Sequence, residues 1–248
     1  MRNWFSRLLF PPHCAACRRL LPFDGSDGET FICRSCRGTL ETKKLETCHD
    51  CGASFVDCRC MPEQMADVGC RGLVKLVAYD PAELQGVINK LINNCKRYAD
   101  RALFEFMAKQ LCFGVEKILR ELEVDRERTV VTYCPRSFRR VREYGFDQAE
   151  LLAECVADVG GYDMAILLTR RKIHLTKSQK NLGFEARAMN AKHSVSLTGE
   201  QDIRGKTVVL VDDVVTSGAT MAACVSLLMG AGADNVVCVA IAEAVRDK

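Results

Sequence analysis

The sequence predicts an α/β fold, a parallel sheet with helices on both faces, plus a small cysteine-rich module at its amino-terminal end. Three observations predict it. Short apolar runs rich in β-branched residues recur at 129–133, 208–211 and 236–241, each suited to a strand buried on both faces. Between them stand stretches with apolar residues at three- and four-residue spacing, the pattern of helices that cross from one parallel strand to the next. Eight cysteines in four close pairs occupy the first sixty residues, with little apolar sequence among them.

The most informative stretch is 208–221, VVLVDDVVTSGATM. Val208, Val209, Leu210 and Val211 form a central strand, and Asp212 and Asp213 then place two carboxylates at its carboxyl end, where open α/β sheets bind ligands. Thr216, Ser217, Gly218, Ala219 and Thr220 supply hydroxyls and a backbone that a ligand can approach closely. A helix follows through Met221, Cys224, Val225, Leu228 and Met229, with Gly230 and Gly232 as stop signals. Free N–H groups and the positive dipole end at a helix start favour phosphate, whereas paired carboxylates favour sugar hydroxyls or magnesium. Together they describe a pocket for a phosphorylated sugar. Gly205-Lys206-Thr207 lacks the glycine five residues before it that a Walker A loop needs, since Glu200 stands there, and no Gly-x-Gly-x-x-Gly occurs, which excludes a Walker A loop and a dinucleotide fingerprint.

The stretch resembles the phosphoribosyl pyrophosphate motif of the type I phosphoribosyltransferases. The resemblance implies that Asp212 and Asp213 hold the ribose 2′- and 3′-hydroxyls, that residues 216–220 wrap the 5′-phosphate, and that magnesium accompanies the ligand.

At 248 residues, nearly half of them apolar, the chain supports one good core plus an appendage. A formal charge of +3 does not by itself announce a nucleic-acid or membrane partner. Residues 1–10 are too short and too interrupted by Arg7 for a signal peptide or a span, and packing on the following domain is expected of them. No later segment is apolar enough to insert in a membrane, so a cytoplasmic protein is expected. Cys95, Cys112, Cys134, Cys155, Cys224 and Cys238 read as small buried hydrophobes in a reducing compartment.

Cys14-x-x-Cys17 and Cys33-x-x-Cys36, separated by the turn residues of 24–28, have zinc-ribbon spacing. Four thiolates leave no open position on the metal, so the zinc is structural; redox chemistry of one pair is the alternative. Cys48-x-x-Cys51 and Cys58-x-Cys60 suggest a second site. Its last pair has one spacer residue where two are usual, which leaves Cys70 or His49 as substitute ligands. The double zinc ribbon is assigned residues 1–68 and the sheet domain 69–248.

Within the sheet domain a strand is expected at 72–79, a helix opening at Pro81, a second helix at 101–120, and strands at 129–133 and 165–168. After 129–133 comes a basic loop, Cys134-Pro135-Arg136-Ser137-Phe138-Arg139-Arg140-Val141-Arg142, a second anion site or a solvated basic turn. Asp147 and Glu150 form a capping box for a helix burying Leu151, Leu152, Cys155 and Val156. The polar loop 170–181 and a helix at 184–190 complete the chain before the central strand.

The double ribbon, the proline-arginine-serine loop, the Gly145-Phe146-Asp147-Gln148 helix start and the ribose-phosphate motif together resemble the ComF family, associated with DNA uptake in competent bacteria. Thr176, Gln179, Arg187 and Asn190 match that family, while Tyr144 and Asp147 replace its usual arginine and asparagine. The resemblance implies support of natural transformation, with single-stranded DNA or a DNA-uptake helicase as partner. Two alternatives stay open: an active phosphoribosyltransferase of nucleotide metabolism, with Arg139, Arg140 and Arg142 stabilising the pyrophosphate, and a non-catalytic module sensing phosphoribosyl pyrophosphate or a ribose 5-phosphate ligand.

Overall fold

The first helix begins at a cysteine. In the computed structural model, which describes residues 11–22, 31–83, 85–170, 194–199 and 201–244, α1 (Arg34–Lys44) starts at Cys33, whose sulfur accepts the Cys36 N–H at 3.5 Å. The first cluster thus draws its second pair from a helix start. A short helix α2 (Glu63–Ala66) leads into β1 (Cys70–Val74) and β2 (Val77–Tyr79). Next come α3 (Val87–Cys95), α4 (Arg101–Glu121), β3 (Thr129–Tyr133), α5 (Phe138–Tyr144), α6 (Gln148–Gly160) and β4 (Asp163–Met164). After β5 (Leu168–Arg170) and β6 (Val195–Leu197), an antiparallel pair, the chain closes with β7 (Thr207–Val215), α7 (Ala219–Gly230) and β8 (Asn235–Ala244).

The main sheet runs β1-β8-β7-β3-β4, every pairing parallel, with β2 resuming beside β8 where β1 stops. Side chains alternate across it. Val209 and Val211 join Leu111, Leu152 and Val156 of α4 and α6 on one face, while Val208 and Leu210 join Met221, Val225 and Leu228 of α7 on the other. The expected helices on both faces are therefore present. The first apolar layer also contains Cys14, Ile32, Cys33 and Leu40, so the first cysteine cluster and the sheet share one core.

The expected strands at 129–133 and 236–241 and the helix at 101–120 are found with bounds shifted by a few residues at most. Five other expectations need correction. The strand at 72–79 is broken at Lys75 and Leu76, because Lys75 turns inward to Glu243 and to the carbonyl of Cys60. The helix expected from Pro81 starts at Val87; Asp80 first captures the Ala82 N–H with its carboxylate and the Glu83 N–H with its carbonyl, forming a turn. The run 165–168 falls mostly between β4 and β5, where Val131 O and the Thr132 hydroxyl accept the N–H groups of Ala165 and Leu167. The basic loop becomes helical at Phe138, and β7 continues past the acid pair to Val215. The expected 184–190 helix, the turn at 24–28 and residues 1–10 lie outside the described residues.

Among the described residues no helix is long and apolar enough to cross a membrane. All six scattered cysteines are buried, as free thiols.

Candidate functional site

The acid pair stands where two loops converge. Asp212 and Asp213 come from the second half of β7, beside the loop that leaves β3 and close to the turn that opens α7. They line a cavity of about 660 Å³ together with Lys96, Pro135, Arg136, Ser137, Arg170, Thr216, Thr220 and the wall formed by Tyr79 and Pro81.

The two carboxyls are not equivalent. The Asp213 carboxylate pairs with the Arg136 guanidinium and lies 3.7 Å from Lys96 Nζ. Burial pushes its pKa up, but the charges of Arg136 and Lys96 outweigh that and hold it below the usual carboxylate range. Among the described residues Asp212 makes no ion pair of its own, and the Arg136 charge only partly offsets what raises it. Burial, followed by the adjacent Asp213 charge, drives its pKa well up, and its Oδ1 accepts the Asp213 N–H at 2.8 Å.

Arg136 is the hub of the cations. Its backbone N–H donates to Asp147 Oδ2 at 3.1 Å, and its Nε sits 3.9 Å from Asp147 Oδ1. Its Nη1 is buried with no partner among the described residues, and its side chain is only 9% exposed. A buried donor left unpaired in a ligand cavity points to an anion that completes it. Asp147 meanwhile caps α6 by accepting the Ala149 N–H, but Glu150 accepts the Tyr133 hydroxyl at 2.9 Å instead of serving only the helix start. Arg170 reaches the same wall, donating from Nη1 to Pro135 O at 3.2 Å.

The same cavity is lined by the turn that opens α7. Gly218 caps α7 at φ +80°, a conformation glycine adopts without strain, and Thr216 and Thr220 face the cavity from either side of it. Ser217 Oγ accepts the Ala219 N–H at 3.4 Å, so residues 216–220 form a compact turn, or cradle, at the start of α7.

Of the expected pyrophosphate cations, Arg142 is exposed on α5 and does not line the cavity; of Arg139 and Arg140 only the backbone, on α5, is described. Thr176, Gln179, Arg187 and Asn190 lie outside the described residues. Lys96 and Arg136 were not singled out from the sequence. Arg136 carried a signal, its place at the carboxyl end of β3, the same rule that identifies Asp212. Lys96 carried none, since it ends α3 and reaches the site only through folding.

The cysteines form two compact sets, Cys14, Cys17, Cys33 and Cys36, and Cys48, Cys51, Cys58 and Cys60, each with all sulfurs within 4.8 Å of one another. A tetrahedral zinc–thiolate site has sulfurs about 3.8 Å apart, the separation of Cys17 and Cys33 here, 3.8 Å. Burial raises the Cys17, Cys36, Cys58 and Cys60 thiols, Cys60 to about 12, and one thiol of each set is lowered towards the thiolate. Burial pushes the Cys14 thiol up, but N–H groups led by that of Cys33 overcome it and bring it to about 7, and the same balance with Cys51 and Asp50 N–H groups brings Cys48 to about 7. Cys58 and Cys60 complete the second set despite their single spacer, because Arg59 turns away to Glu121; neither His49 nor Cys70 belongs to it.

A family profile described as the phosphoribosyl transferase domain matches residues 115–248, which carry β3, the acid pair and the α7 cradle. The chain belongs to the phosphoribosyl transferase domain family. The DNA utilization protein YhgH of Escherichia coli K12 is 29% identical over 238 residues, covering 91% of this chain and 94% of that protein. An alignment so long must include most of the cysteine module, which bears out the ComF resemblance drawn from the motifs. The Salmonella typhi protein of the same name is 34% identical over 114 residues, 45% of this chain, and the match spans about half, 46%, of that relative. Among solved structures, a Staphylococcus aureus hypoxanthine phosphoribosyltransferase is similar with TM-score 0.37 and 9% identity, over 61% of this chain and 77% of that one.

Proposed function

We propose that the cavity binds phosphoribosyl pyrophosphate, or ribose 5-phosphate, with magnesium, and that the protein supports DNA uptake in the manner of ComF proteins. One observation carries the ligand: an acid pair and a helix-start cradle face Arg136, Lys96 and Arg170 across a single cavity. The cradle suits the 5′-phosphate, the acids suit ribose hydroxyls, and the cations suit the pyrophosphate. Asp212, which makes no ion pair among the described residues, is the carboxylate with capacity left for a magnesium that the pyrophosphate also ligates. Both cysteine sets hold structural zinc in this reading, and the remaining seven cysteines, none in a disulfide, suit a reducing cytoplasm.

The relatives named as DNA utilization proteins support the biological setting, with single-stranded DNA or a helicase as the partner class. Common purine and pyrimidine bases are poor acceptors in this reading, because Thr216 stands where a purine-salvage enzyme is expected to carry an acid. Calorimetric titration with phosphoribosyl pyrophosphate, with and without magnesium, tests the pocket. Pyrophosphate release measured across the common bases tests catalysis. Absence of binding removes the pocket assignment, and rapid turnover with any base favours an active transferase of nucleotide metabolism instead.

A further inference from the structure

The second cysteine set lies four residues from a contact with the phosphate cradle. Cys60 is its last ligand, and Gln64, in α2, donates from Nε2 to the carbonyl of Ser217 at the heart of the cradle. Pro62 and Met65 press on the same place. A Cβ built on Gly218 would meet Pro62 Cγ at 2.6 Å and Met65 Sδ at 3.0 Å, so the cradle has no slack on that side. The segment is equally pinned at its metal end. Arg59, between the last two ligands, pairs with Glu121 at the end of α4, and the buried Lys75 binds the Cys60 carbonyl while pairing with Glu243 of β8. Residues 58–65 are therefore held at one end by the cysteine set, the Arg59–Glu121 ion pair and the Lys75 hydrogen bond to the Cys60 carbonyl, and at the other end by the cradle.

A carbonyl in a phosphate-binding turn must point away from the phosphate while its neighbouring N–H groups point toward it. A donor that holds the Ser217 carbonyl back does that. We propose that Gln64 is a positioning residue for the cradle, and that metal in the second cysteine set fixes ribose-phosphate affinity by holding residues 58–65 against Ser217 and Gly218. This rests on the ribose-phosphate reading and adds to it a role for the module: the second metal acts on the ligand site and not merely on stability.

The test compares two ligands that use different halves of the cavity. Inorganic pyrophosphate with magnesium reports on the Arg136 side, and ribose 5-phosphate reports on the cradle. Gln64→Met keeps the side-chain length but removes the donor. Ribose 5-phosphate binding should weaken about three- to tenfold, the worth of one hydrogen bond, while pyrophosphate binding, zinc content and melting temperature stay as they were. Cys60→Ser should show the same selective loss together with loss of one zinc, and the Gln64 variant carries the test should that protein not fold. Unchanged ribose 5-phosphate binding by Gln64→Met, or equal loss of both ligands, overturns the proposal alone. Failure of the unaltered protein to bind either ligand overturns it together with the pocket reading.

Discussion

The two cysteine sets have the same chemistry and different surroundings. The first is braced by apolar packing: Ile32, Cys33 and Leu40 are buried in the layer that holds α4 and α6, and Phe31 meets Phe106 at 5.3 Å between ring centroids. Asn94 of α3 fastens it further by donating to Ala15 O at 2.6 Å. The second is braced by polar contacts to Arg59, Lys75 and Glu121, and its chain runs directly into the phosphate cradle. Loss of the first should therefore be felt as instability, and loss of the second as weakened ligand binding.

The largest expected effect is Cys33→Ser. It removes a proposed zinc ligand and disturbs the α1 cap at once, and structural zinc sites supply on the order of 10 kcal/mol of folding free energy in small domains. Because the first set shares a core with the sheet, the whole chain should melt earlier in one transition, with one zinc lost. An unaltered sheet transition would show that the module and the sheet are independent units, which the common apolar layer contradicts.

The contrast between a braced group and an unbraced one recurs in the acid pair. Asp213→Asn leaves Arg136 without its main counter-charge, and breaking a buried ion pair costs about 3–5 kcal/mol. Asp212→Asn removes a carboxylate that makes no ion pair among the described residues, and should be neutral or stabilising at pH 8. The pH dependence follows from the two directions. Asp213 is lowered, so its stabilisation is present above the unfolded carboxylate pKa and lost as pH falls through the folded value. Asp212 is raised, so its contribution is present in acid and lost as pH rises through its folded pKa. Chemical denaturation of both variants between pH 3 and 9 checks this, and equal losses at pH 8 would contradict the asymmetry. Both variants should lose ribose-phosphate binding.

Much of this was legible in the sequence because sheet strands buried on both faces leave an uninterrupted apolar run, as at Val208, Val209, Leu210 and Val211. The acid pair and the cradle were legible for the same reason, lying next to such a run. Lys75 was not: a lysine within GLVKLVAY reads as a solvent-facing position, and only the fold brings Glu243 and the Cys60 carbonyl to it. Lys96 and the Gln64 contact are equally tertiary, joining residues 117 and 153 apart in sequence to Asp213 and Ser217. The single spacer of Cys58-x-Cys60 obscured the second set because spacing alone does not say which way Arg59 turns.

Gly218→Ala probes the joint between the second set and the cradle. Its φ of +80° costs an L-residue about 1–2 kcal/mol, and the new methyl must also displace Pro62. A destabilisation of about 2 kcal/mol is expected, with ribose 5-phosphate binding weakened more than pyrophosphate binding. Equal weakening of both ligands would mean that the turn's conformation, and not the Pro62 contact, dominates.

The smallest effect separates the two knuckles themselves. In each, the residue after the second cysteine is left-handed and donates its N–H to the first cysteine's carbonyl at 2.9 Å: Gly52 at φ +73° in the second set, Arg18 at φ +64° in the first. Glycine bears this conformation freely, whereas arginine is strained by about 1 kcal/mol. Arg18 has a compensation that Gly52 lacks, since its guanidinium lies 4.4 Å from the centroid of the Tyr98 ring, a contact worth about 0.5–1 kcal/mol at an exposed site. Arg18→Gly should therefore change stability by less than about 0.5 kcal/mol, with both zinc ions retained. Pairing it with Tyr98→Ala separates the two contributions. In the Tyr98→Ala background the same change should stabilise by close to 1 kcal/mol, because the strain is relieved and no ring contact is left to lose. No gain in that background would show that the ring contact does not offset the strain, and that the left-handed turn at Arg18 is held by the metal alone.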